Sequence, residues 1–485
     1  MNFNSLSYLL FLALNILVYY LLPPKARNGW LLLSSYFFYM CWNPKYALLM
    51  LFSTAVTYVC GLLVESSLWD RRKLWLVLSL VMNLAILFFF KYFNFASSLL
   101  TQAFSALGLG LEAPLLDVLL PVGISFYTFQ ALGYTIDVYR KDIGAEKNFI
   151  DYALFVSFFP QLVAGPIERS GNILHQIKET HRFRAENLRD GVLPVLWGLM
   201  KKMVLADNLA VIVNTVYNAP AQHTGGEFLL ATAAFAIQIY CDFSAYSDIA
   251  RGSAKMLGFE LMENFRCPYL AVSIQDFWRR WHISLSSWFK DYLYFPLGGS
   301  RCSKARNLLN IMIVFTVSGL WHGAALTFVA WGLLNGLYQV ISKLLDPLRR
   351  RWFALTGIRE DSRWLKAFRV VFTFCLVCLS WVLFRANSLS DAALIFQSVF
   401  SIPIAGLHGS FGAFGLSIKA LRMVGIFSVG LLAADWFIAN KNLAEKLNRR
   451  VAVRYVVYFL LIAAILVFGS YGEGYDPQDF VYFQF

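Results

Sequence analysis

The sequence predicts an all-α membrane protein that crosses the bilayer many times. Of its 485 residues, 58% are hydrophobic and 15% are charged, whereas soluble domains carry about 25% charged residues. The apolar residues are spread along the whole chain and are not collected in one anchor segment. We therefore expect a polytopic fold.

Each long apolar run is a candidate membrane element. The first, Leu6 to Leu22, lacks a basic flank and is followed by Pro23 and Pro24, which predicts a membrane helix and not a cleaved signal. Another run ends at Gly165 and Pro166, which is typical of a re-entrant element. Roughly ten to twelve crossings are expected. The runs lie near residues 6–22, 29–42, 45–65, 74–92, 117–137, 150–165, 191–217, 227–257, 307–341, 368–386, 415–438 and 453–469.

The positive charges lie in short links between these runs, which argues against a nucleic-acid partner despite a formal net charge of +13. Such links are typical of cytoplasmic loops and also attract anionic lipid. If the basic loop from Lys441 to Arg454 is cytoplasmic, the next span carries the chain outward. The sequence thus divides into a transmembrane region, 1–469, and an extracytoplasmic aromatic tail, 470–485.

One amphipathic segment differs from the spans. Ser273 followed by Asp276 resembles a capping box at a helix start. A stripe at helical spacing follows and comprises Phe277, Trp281 and Leu285. These features predict a single helix over residues 274–294 at the membrane interface.

That helix would carry a histidine on its inner face. Trp278, His282 and Ser286 share one side at helical spacing, whereas Arg279 and Arg280 would lie at the cytoplasmic surface. The alternative is an interfacial residue held by an arginine or a lipid phosphate.

A second histidine, His322, lies in an apolar run from Leu308 to Ile341. A titratable side chain at membrane depth is costly and is therefore a functional candidate. Gly319 and Gly323 interrupt the run, which predicts a broken helix or two helices in close contact. We expect Gly323 to leave space for a substrate beside the imidazole. The alternative is a buried histidine that only tightens helix packing.

The segment QDFWRRWHISLS (275–286) resembles the membrane-bound O-acyltransferase superfamily, and GLWHG (319–323) fits the position of its invariant histidine. Supporting strings are PVGISF (121–126), FPQLVAGP (159–166), DFSAYSD (242–248) and DYLYFPLGG (291–299). They are collinear and extend the resemblance to about residue 400. Within the superfamily the chain is most similar to the bacterial branch typified by the alginate O-acetylation membrane protein.

The resemblance implies a ring or funnel of tilted helices around a central channel. It also implies a cytoplasmic acyl thioester as donor, either acetyl-CoA or an acyl carrier protein, with no tightly bound cofactor. His322 would be the catalytic base, because a neutral buried imidazole can take a proton from an attacking hydroxyl. His282 would orient the acceptor or stabilise the oxyanion.

Further residues complete the expected site. Asp242 is an intramembrane charge that we expect to line the channel. Trp278, Trp281 and Trp321 are expected to bind substrate. The cluster of Trp278, Trp281 and Trp288 is typical of an aromatic belt at the interface, and the alternative is a groove for the thioester carrier. Arg279 is expected to contact an acidic donor, with lipid contact as the alternative. Two histidines alone make a poor zinc site, and no metal is expected.

The chain ends in four aromatics within six residues, FVYFQF (480–485). This end resembles the tyrosine-containing tail of the small peptide that accompanies teichoic-acid D-alanylation. The resemblance implies that Tyr482 receives the acyl group and passes it to an extracytoplasmic serine-type (SGNH-like) transferase. The alternative is a tail that only anchors or plugs.

Three functions remain open from the sequence. The first is an O-acyltransferase that moves an acyl group, most simply acetyl, toward a cell-envelope or secreted polysaccharide. The second is a D-alanyl transferase for teichoic acid with the same mechanism. The third is a transporter or flippase whose histidines relay protons.

Overall fold

The computed structural model describes residues 1–67, 69–163, 165–401, 414–441, 450–472 and 480–481, with backbone alone for 69–70 and 439–441. These residues form helices and connecting segments, and no strand occurs among them. The all-α prediction is therefore confirmed. The chain is a multi-pass membrane protein, whereas the number of crossings stays a prediction.

The polypeptide is helical along most of its described length. In the first half the helices are α1 (Leu6–Leu21), α2 (Pro24–Met40), α3 (Pro44–Ser66), α4 (Trp69–Leu87), α5 (Phe93–Ala106), α6 (Ile124–Arg140), α7 (Phe149–Ser157), α8 (Phe159–Leu162), α9 (Ser170–Lys178) and α10 (Ala185–Met200). In the second half they are α11 (Asp207–Tyr217), α12 (Gly225–Met256), α13 (Ile274–Trp278), α14 (Ile283–Phe289), α15 (Lys304–His322), α16 (Leu326–Thr356), α17 (Arg363–Arg385), α18 (Leu389–Phe400), α19 (Ile418–Lys441) and α20 (Val451–Phe468). Three π-helical segments, Phe88–Tyr92, Lys201–Ala206 and Lys290–Tyr294, adjoin α4, α10 and α14.

Seven helices among the described residues are long and apolar enough to cross a membrane. They are Pro44–Ser66, Arg71–Ala106, Gly225–Met256, Leu326–Thr356, Arg363–Arg385, Ile418–Ile438 and Val451–Phe468. No residue in the apolar window of the last helix is buried, as expected of a helix whose surface largely faces lipid.

The re-entrant prediction for residues 150–165 fits the helices found there. The nine residues of α7 span about 14 Å at 1.5 Å per residue, which is half of a ~30 Å hydrocarbon core. The helix direction breaks at Phe158, whose backbone is not helical, and α8 adds only four residues. This stretch does not cross the bilayer as a single helix.

The chain forms two compact units. The first comprises residues 1–195 and 246–262, and the second comprises residues 196–245 and 263–485. The core of the first unit is rich in tyrosine: Tyr134 and Tyr152 are fully buried with ring centroids 4.5 Å apart. Both candidate histidines, the DFSAY string up to Ala245 and the C-terminal tail belong to the second unit.

The core of the second unit is built around tryptophans. Trp281, Trp331 and Trp381 are each 1% exposed, and the rings of Trp331 and Trp381 stack at 6.0 Å with an interplanar angle of 13°. Large aromatic side chains bury much apolar area each. This cluster therefore forms a rigid support beside the histidines.

Candidate active site

His322 is the last residue of α15, the first arm of a helical hairpin. The next residue, Gly323, has an extended backbone and donates its N–H to the carbonyl of Gly319 at 3.4 Å, which ends the helix. The second arm, α16, begins at Leu326. Residues 307–341 therefore belong to two helices in close contact and not to one broken helix.

Glycines set how closely these two helices pack. A Cβ atom built on Gly319 would overlap the carbonyl oxygen of Phe328, and one on Gly332 would overlap that of Phe315. Because backbone atoms cannot move aside, only glycine permits this approach. Gly319 and Gly332 therefore allow α15 and α16 to pack closely.

The prediction that Gly323 leaves space for a substrate is wrong. A Cβ atom at this position would overlap the ring of Phe328, which already fills that volume. Any space for a substrate must therefore lie on another side of the imidazole.

Aromatic rings enclose His322, which is 3% exposed. Its ring centroid lies 5.0 Å from those of Trp321 and Trp331 and 5.4 Å from that of Phe384. Each of these contacts is close to perpendicular, the edge-to-face arrangement that aromatic pairs prefer. The side chain is therefore surrounded largely by apolar rings.

The predicted single helix over residues 274–294 is wrong. Helix α13 ends at Trp278, α14 begins at Ile283, and a π-helical segment follows from Lys290. His282 lies at the break with φ of 44°, in the left-handed region. Non-glycine residues adopt this conformation at a cost and often at functional sites. As a result, Trp278, His282 and Ser286 do not share a helix face.

Two details of the prediction are nevertheless confirmed. Ser273 caps α13 by accepting a hydrogen bond from the N–H of Asp276 at 3.1 Å, and the Asp276 carboxylate accepts one from the N–H of Val272. The whole apolar stripe is buried as well: Phe277 is 2%, Trp281 1% and Leu285 3% exposed. Burial followed the apolar pattern although the helix did not continue.

Asn264, which the sequence did not reveal as a site residue, holds the break in place. Its backbone carbonyl accepts the N–H of Ile283 at 3.0 Å. Its side-chain oxygen accepts from the N–H and the hydroxyl of Ser284 and lies 3.2 Å from Nδ1 of His282. Asn264 lies 18 residues before the histidine in a non-helical stretch, so no periodicity connects the two.

This contact defines the tautomer of His282. The N–H of Ser284 can only donate, so the Asn264 atom that it meets is the amide oxygen. Nδ1 of His282 must then carry the proton, which leaves the lone pair on Nε2. Burial lowers the pKa of His282 to about 3, so its imidazole is neutral at physiological pH.

The two histidines lie close together in space. Their ring centroids are 6.4 Å apart at an interplanar angle of 62°, and the ring of Phe243 packs against His282 at 4.6 Å. An oxygen hydrogen-bonded to an imidazole nitrogen lies about 4 Å from the ring centroid. Both rings can therefore reach one hydroxyl or carbonyl oxygen.

The other predicted site residues differ in their proximity to this pair. The ring of Trp321 contacts both histidines, at 5.0 and 5.8 Å. Trp278 packs against Trp331 at 5.6 Å, and the ring of Trp331 contacts His322. Trp281 packs in the core against Phe265 and Trp381. Arg279 is exposed, away from the buried histidines.

Asp242 is buried and is held by charge. Its carboxylate lies 2.8 Å from the ammonium of Lys202 and accepts a hydrogen bond from the N–H of Val481 at 2.7 Å. Tyr482, the predicted acyl carrier, lies outside the described residues. The two residues before it, Phe480 and Val481, are 1% and 3% exposed.

Two indole N–H groups, one beside His322 and one on the tryptophan that packs behind it, are buried and meet no acceptor among the described residues. They belong to Trp278 and Trp331. A buried donor left unpaired costs about 1–3 kcal/mol, so these two groups are suited to a bound oxygen atom. Across the described part of the chain, no group of three or more His, Cys, Asp or Glu side chains could hold a metal ion.

Comparison with known proteins connects this geometry to a family. Residues 140–386 match the model of the membrane-bound O-acyltransferase family, a range that includes both histidines. A probable alginate O-acetylase AlgI from Pseudomonas aeruginosa is 39% identical over 405 residues, which cover 83% of this chain and 75% of that protein.

Two other relatives differ in what their names say they modify. A peptidoglycan O-acetyltransferase from Helicobacter pylori is 33% identical over 432 residues, which cover 82% of this chain and 78% of that protein. A teichoic acid D-alanyltransferase from Streptococcus thermophilus is 28% identical over 285 residues, which cover 54% of this chain and 68% of that protein.

Proposed function

Because the chain belongs to the membrane-bound O-acyltransferase family and is an O-acyltransferase, we propose that it moves an acetyl group across the membrane toward a cell-envelope or secreted polysaccharide. The observation that carries the proposal is the pair of buried imidazoles, 6.4 Å apart, within an aromatic shell. Relatives named for alginate and peptidoglycan acetylation support acetyl as the group and a polysaccharide as the acceptor.

The proposed chemistry uses His322 as general base. Its imidazole takes the proton of an acceptor hydroxyl as the oxygen attacks the thioester carbonyl. The carbon–sulfur bond breaks, and the imidazolium returns the proton to the departing thiolate, which leaves a thiol and an ester. The base is regenerated, so no metal or redox cofactor is required.

The second histidine and the tryptophans assist this step. With its proton on Nδ1, His282 offers Nε2 as the acceptor that orients the hydroxyl as it enters the site. The single proton of that hydroxyl then turns to His322 when the attack begins. The unpaired N–H of Trp331 supplies a donor beside His322 for the carbonyl oxygen as it gains negative charge. Each group thereby meets one part of the developing transition state.

The donor is proposed to be a cytoplasmic acyl thioester, acetyl-CoA or an acetylated carrier protein. Arg279 supports an acidic donor because it is exposed and forms no ion pair with the described residues. Its neighbour Arg280, in contrast, is bound to Asp276 at 2.9 Å. A free guanidinium at this surface is suited to phosphate or carboxylate.

The first acceptor is proposed to be Tyr482, which then passes the acetyl group to an extracytoplasmic serine-type transferase. Support comes from the two residues before it. Phe480 is buried and lies 5.7 Å from Phe243, whose ring contacts His282. The residue that precedes Val481 and Tyr482 thus lies close to the histidine pair. The placement of the tail on the extracytoplasmic side is inferred from the charge distribution of the loops.

Analysis of the polymers tests the acceptor. Mass spectrometry of envelope and secreted polysaccharides is compared between a strain lacking the protein and the same strain complemented with the parent or with His322→Ala. We expect ester-linked acetyl groups to be restored by the parent alone. An unchanged acetyl content in the deletion strain would refute the proposed function.

The shuttle is tested separately with Tyr482→Phe, which removes only a hydroxyl group. Loss of polymer acetylation, together with continued hydrolysis of the labelled thioester, is the expected result. Normal polymer acetylation in this variant would leave the tail as an anchor.

D-alanyl transfer to teichoic acid is the second candidate, supported by the relative from Streptococcus thermophilus. That similarity covers 54% of this chain, compared with 83% for the alginate relative. The same polymer analysis separates the two, because a D-alanyl ester and an acetyl ester differ in mass.

A further inference from the structure

A buried cluster of charges lies beside the histidines in the second unit. The ammonium of Lys202 lies 2.8 Å from carboxylate oxygens of both Asp207 and Asp242, and all three side chains are at most 2% exposed. Two carboxylates thus share one ammonium, and Asp242 keeps its second oxygen for another donor. Because an isolated buried charge is very costly, each member depends on the others.

The other donor comes from the end of the chain. The N–H of Val481 donates to Oδ2 of Asp242 at 2.7 Å. Earlier in the same segment, the N–H of Ser470 donates to the carbonyl of Met203 at 3.0 Å. Met203 and Lys202 both belong to the π-helical segment Lys201–Ala206. The tail therefore bonds to this segment through Ser470, and to Asp242, the ion-pair partner of Lys202, through Val481.

We propose that the Lys202–Asp207–Asp242 cluster is the docking site of the C-terminal arm, residues 470–485, through its described residues 470–472 and 480–481. Asp242 is the contact that holds the arm: its carboxylate binds the backbone N–H of Val481, and the preceding side chain packs against Phe243. A main-chain hydrogen bond to a charged acceptor is among the stronger kinds available.

The cluster also makes the docking reversible. When the arm leaves, Asp242 loses one hydrogen bond but keeps the ammonium of Lys202, so no buried charge is stranded. The docking site stays folded and charged for the next arrival. An arm that carries a group outward needs such a site, because a carrier that could not leave would remain acylated.

Docking also affects the catalytic histidines. Phe243 directly follows Asp242, and its ring lies between Phe480 at 5.7 Å and His282 at 4.6 Å. Asp242 is therefore a positioning residue that acts through the arm and Phe243, and it does not touch the reacting atoms.

The docking does not depend on the proposed acyl transfer. That reaction explains only why the arm has to leave the site. The test of docking measures the arm and not the reaction: amide hydrogen exchange of the C-terminal peptide in the full-length protein, followed by mass spectrometry. We expect Asp242→Asn to speed exchange of the Val481 amide by about ten- to a hundredfold, because the acceptor loses its charge and the ion pair with Lys202 that holds it in place.

Asp207→Asn is the matched control. It removes the other carboxylate on the same ammonium and leaves the bond between Asp242 and Val481 in place. We expect exchange of the Val481 amide within about threefold of the parent. The proposal is wrong if Asp242→Asn leaves this exchange unchanged, or if both variants accelerate it equally, because the effect would then be general loosening.

A second pair of variants keeps the cluster intact. Val481→Pro removes the N–H donor, whereas Val481→Ala retains it. The probe is a maleimide reacting with a cysteine introduced by Gln484→Cys and counted on the C-terminal peptide. We expect labelling about tenfold faster in Val481→Pro than in Val481→Ala, and equal rates would overturn the docking role of Asp242. Failure of Tyr482→Phe to change polymer acetylation would leave this result untouched.

Discussion

The two histidines of the site are held by opposite means. His322 ends a 19-residue helix, and the close packing of Gly319 against Phe328 sets its position. His282 lies between two short helices in a left-handed conformation, and the side chain of Asn264 fixes its ring. Regular secondary structure supports His322, whereas a polar contact supports His282 at the break between two helices.

Under the proposed mechanism, this difference corresponds to a division of labour. A base at the end of a packed hairpin needs little beyond a rigid, apolar shell. A group that orients a substrate needs a defined tautomer, and a hydrogen bond from a fixed acceptor provides it. We therefore expect substitutions near His322 to act through packing and those near His282 to act through protonation and hydrogen bonding.

Replacing the proposed base, His322, should have the largest effect. His322→Ala is expected to lower the rate of acyl transfer about 10²–10⁴-fold, as loss of a general base typically does. Purified protein with a labelled thioester gives the rate. His175→Ala, at an exposed histidine in the first unit, serves as control and should match the parent. Activity of His322→Ala within tenfold of the parent, with normal folding, would contradict the assignment.

The second histidine should tolerate one substitution that the first does not. His282→Ala is expected to lose about a hundredfold in rate. His282→Asn should lose less, because asparagine adopts positive φ readily and keeps hydrogen-bonding groups. At position 322 asparagine should be as poor as alanine. If asparagine were equally harmful at both positions, the two histidines would not differ in the way proposed.

The pH dependence of the rate distinguishes the surroundings of the two histidines further. The pKa of His282 is about 3, so this group stays neutral as the pH falls from about 7.5 to 5.5. Asn264→Asp would place a carboxylate next to Nδ1, which favours the imidazolium and raises that pKa. Protonation of Nε2 should then remove its acceptor function at the lower pH.

We expect the kcat/KM of Asn264→Asp relative to the parent to fall by roughly threefold to tenfold between these two pH values. Ser284→Ala is the control, since it removes a neighbouring hydroxyl without adding charge, and its ratio should be flat. A flat ratio for Asn264→Asp as well would show that Asn264 does not govern protonation of His282.

The smallest effect concerns packing of the hairpin. Gly319→Ala should force α15 and α16 apart and lower the free energy of unfolding by about 1–3 kcal/mol. Gly430→Ala in α19, where an added Cβ meets nothing within 4 Å, should change it by at most ~1 kcal/mol and in the stabilising direction. Thermal unfolding in detergent measures both. Equal melting temperatures would remove the packing argument for the glycines.

Much of the site could be predicted because its clues are local. The isolated histidines in apolar surroundings, the glycines four apart and the buried stripe around Trp281 are visible within short windows. The helix across His282 was predicted wrongly for the same reason. A helical pattern of apolar residues continued through the segment, although a backbone break at one residue redirected the chain.

The partners of these residues could not be predicted, because they come from distant parts of the chain. Asn264 reaches His282 across 18 residues, Lys202 reaches Asp242 from another helical segment, and Val481 reaches the same carboxylate across 239 residues. A single polar residue in a loop has no periodicity that would indicate which side chain it meets.

The sequence by itself determined that this chain is an all-α membrane protein, because hydrocarbon requires long apolar helices whose backbone groups are paired internally. It also singled out His322, because a titratable group at membrane depth is expensive and therefore rare, and His282, through its motif and its place on the amphipathic segment. Only the tertiary structure decided which of them is held by packing, which tautomer Asn264 selects and what Asp242 binds. Those outcomes depend on hydrogen bonds and ion pairs between distant segments, and such contacts exist only once the chain has folded.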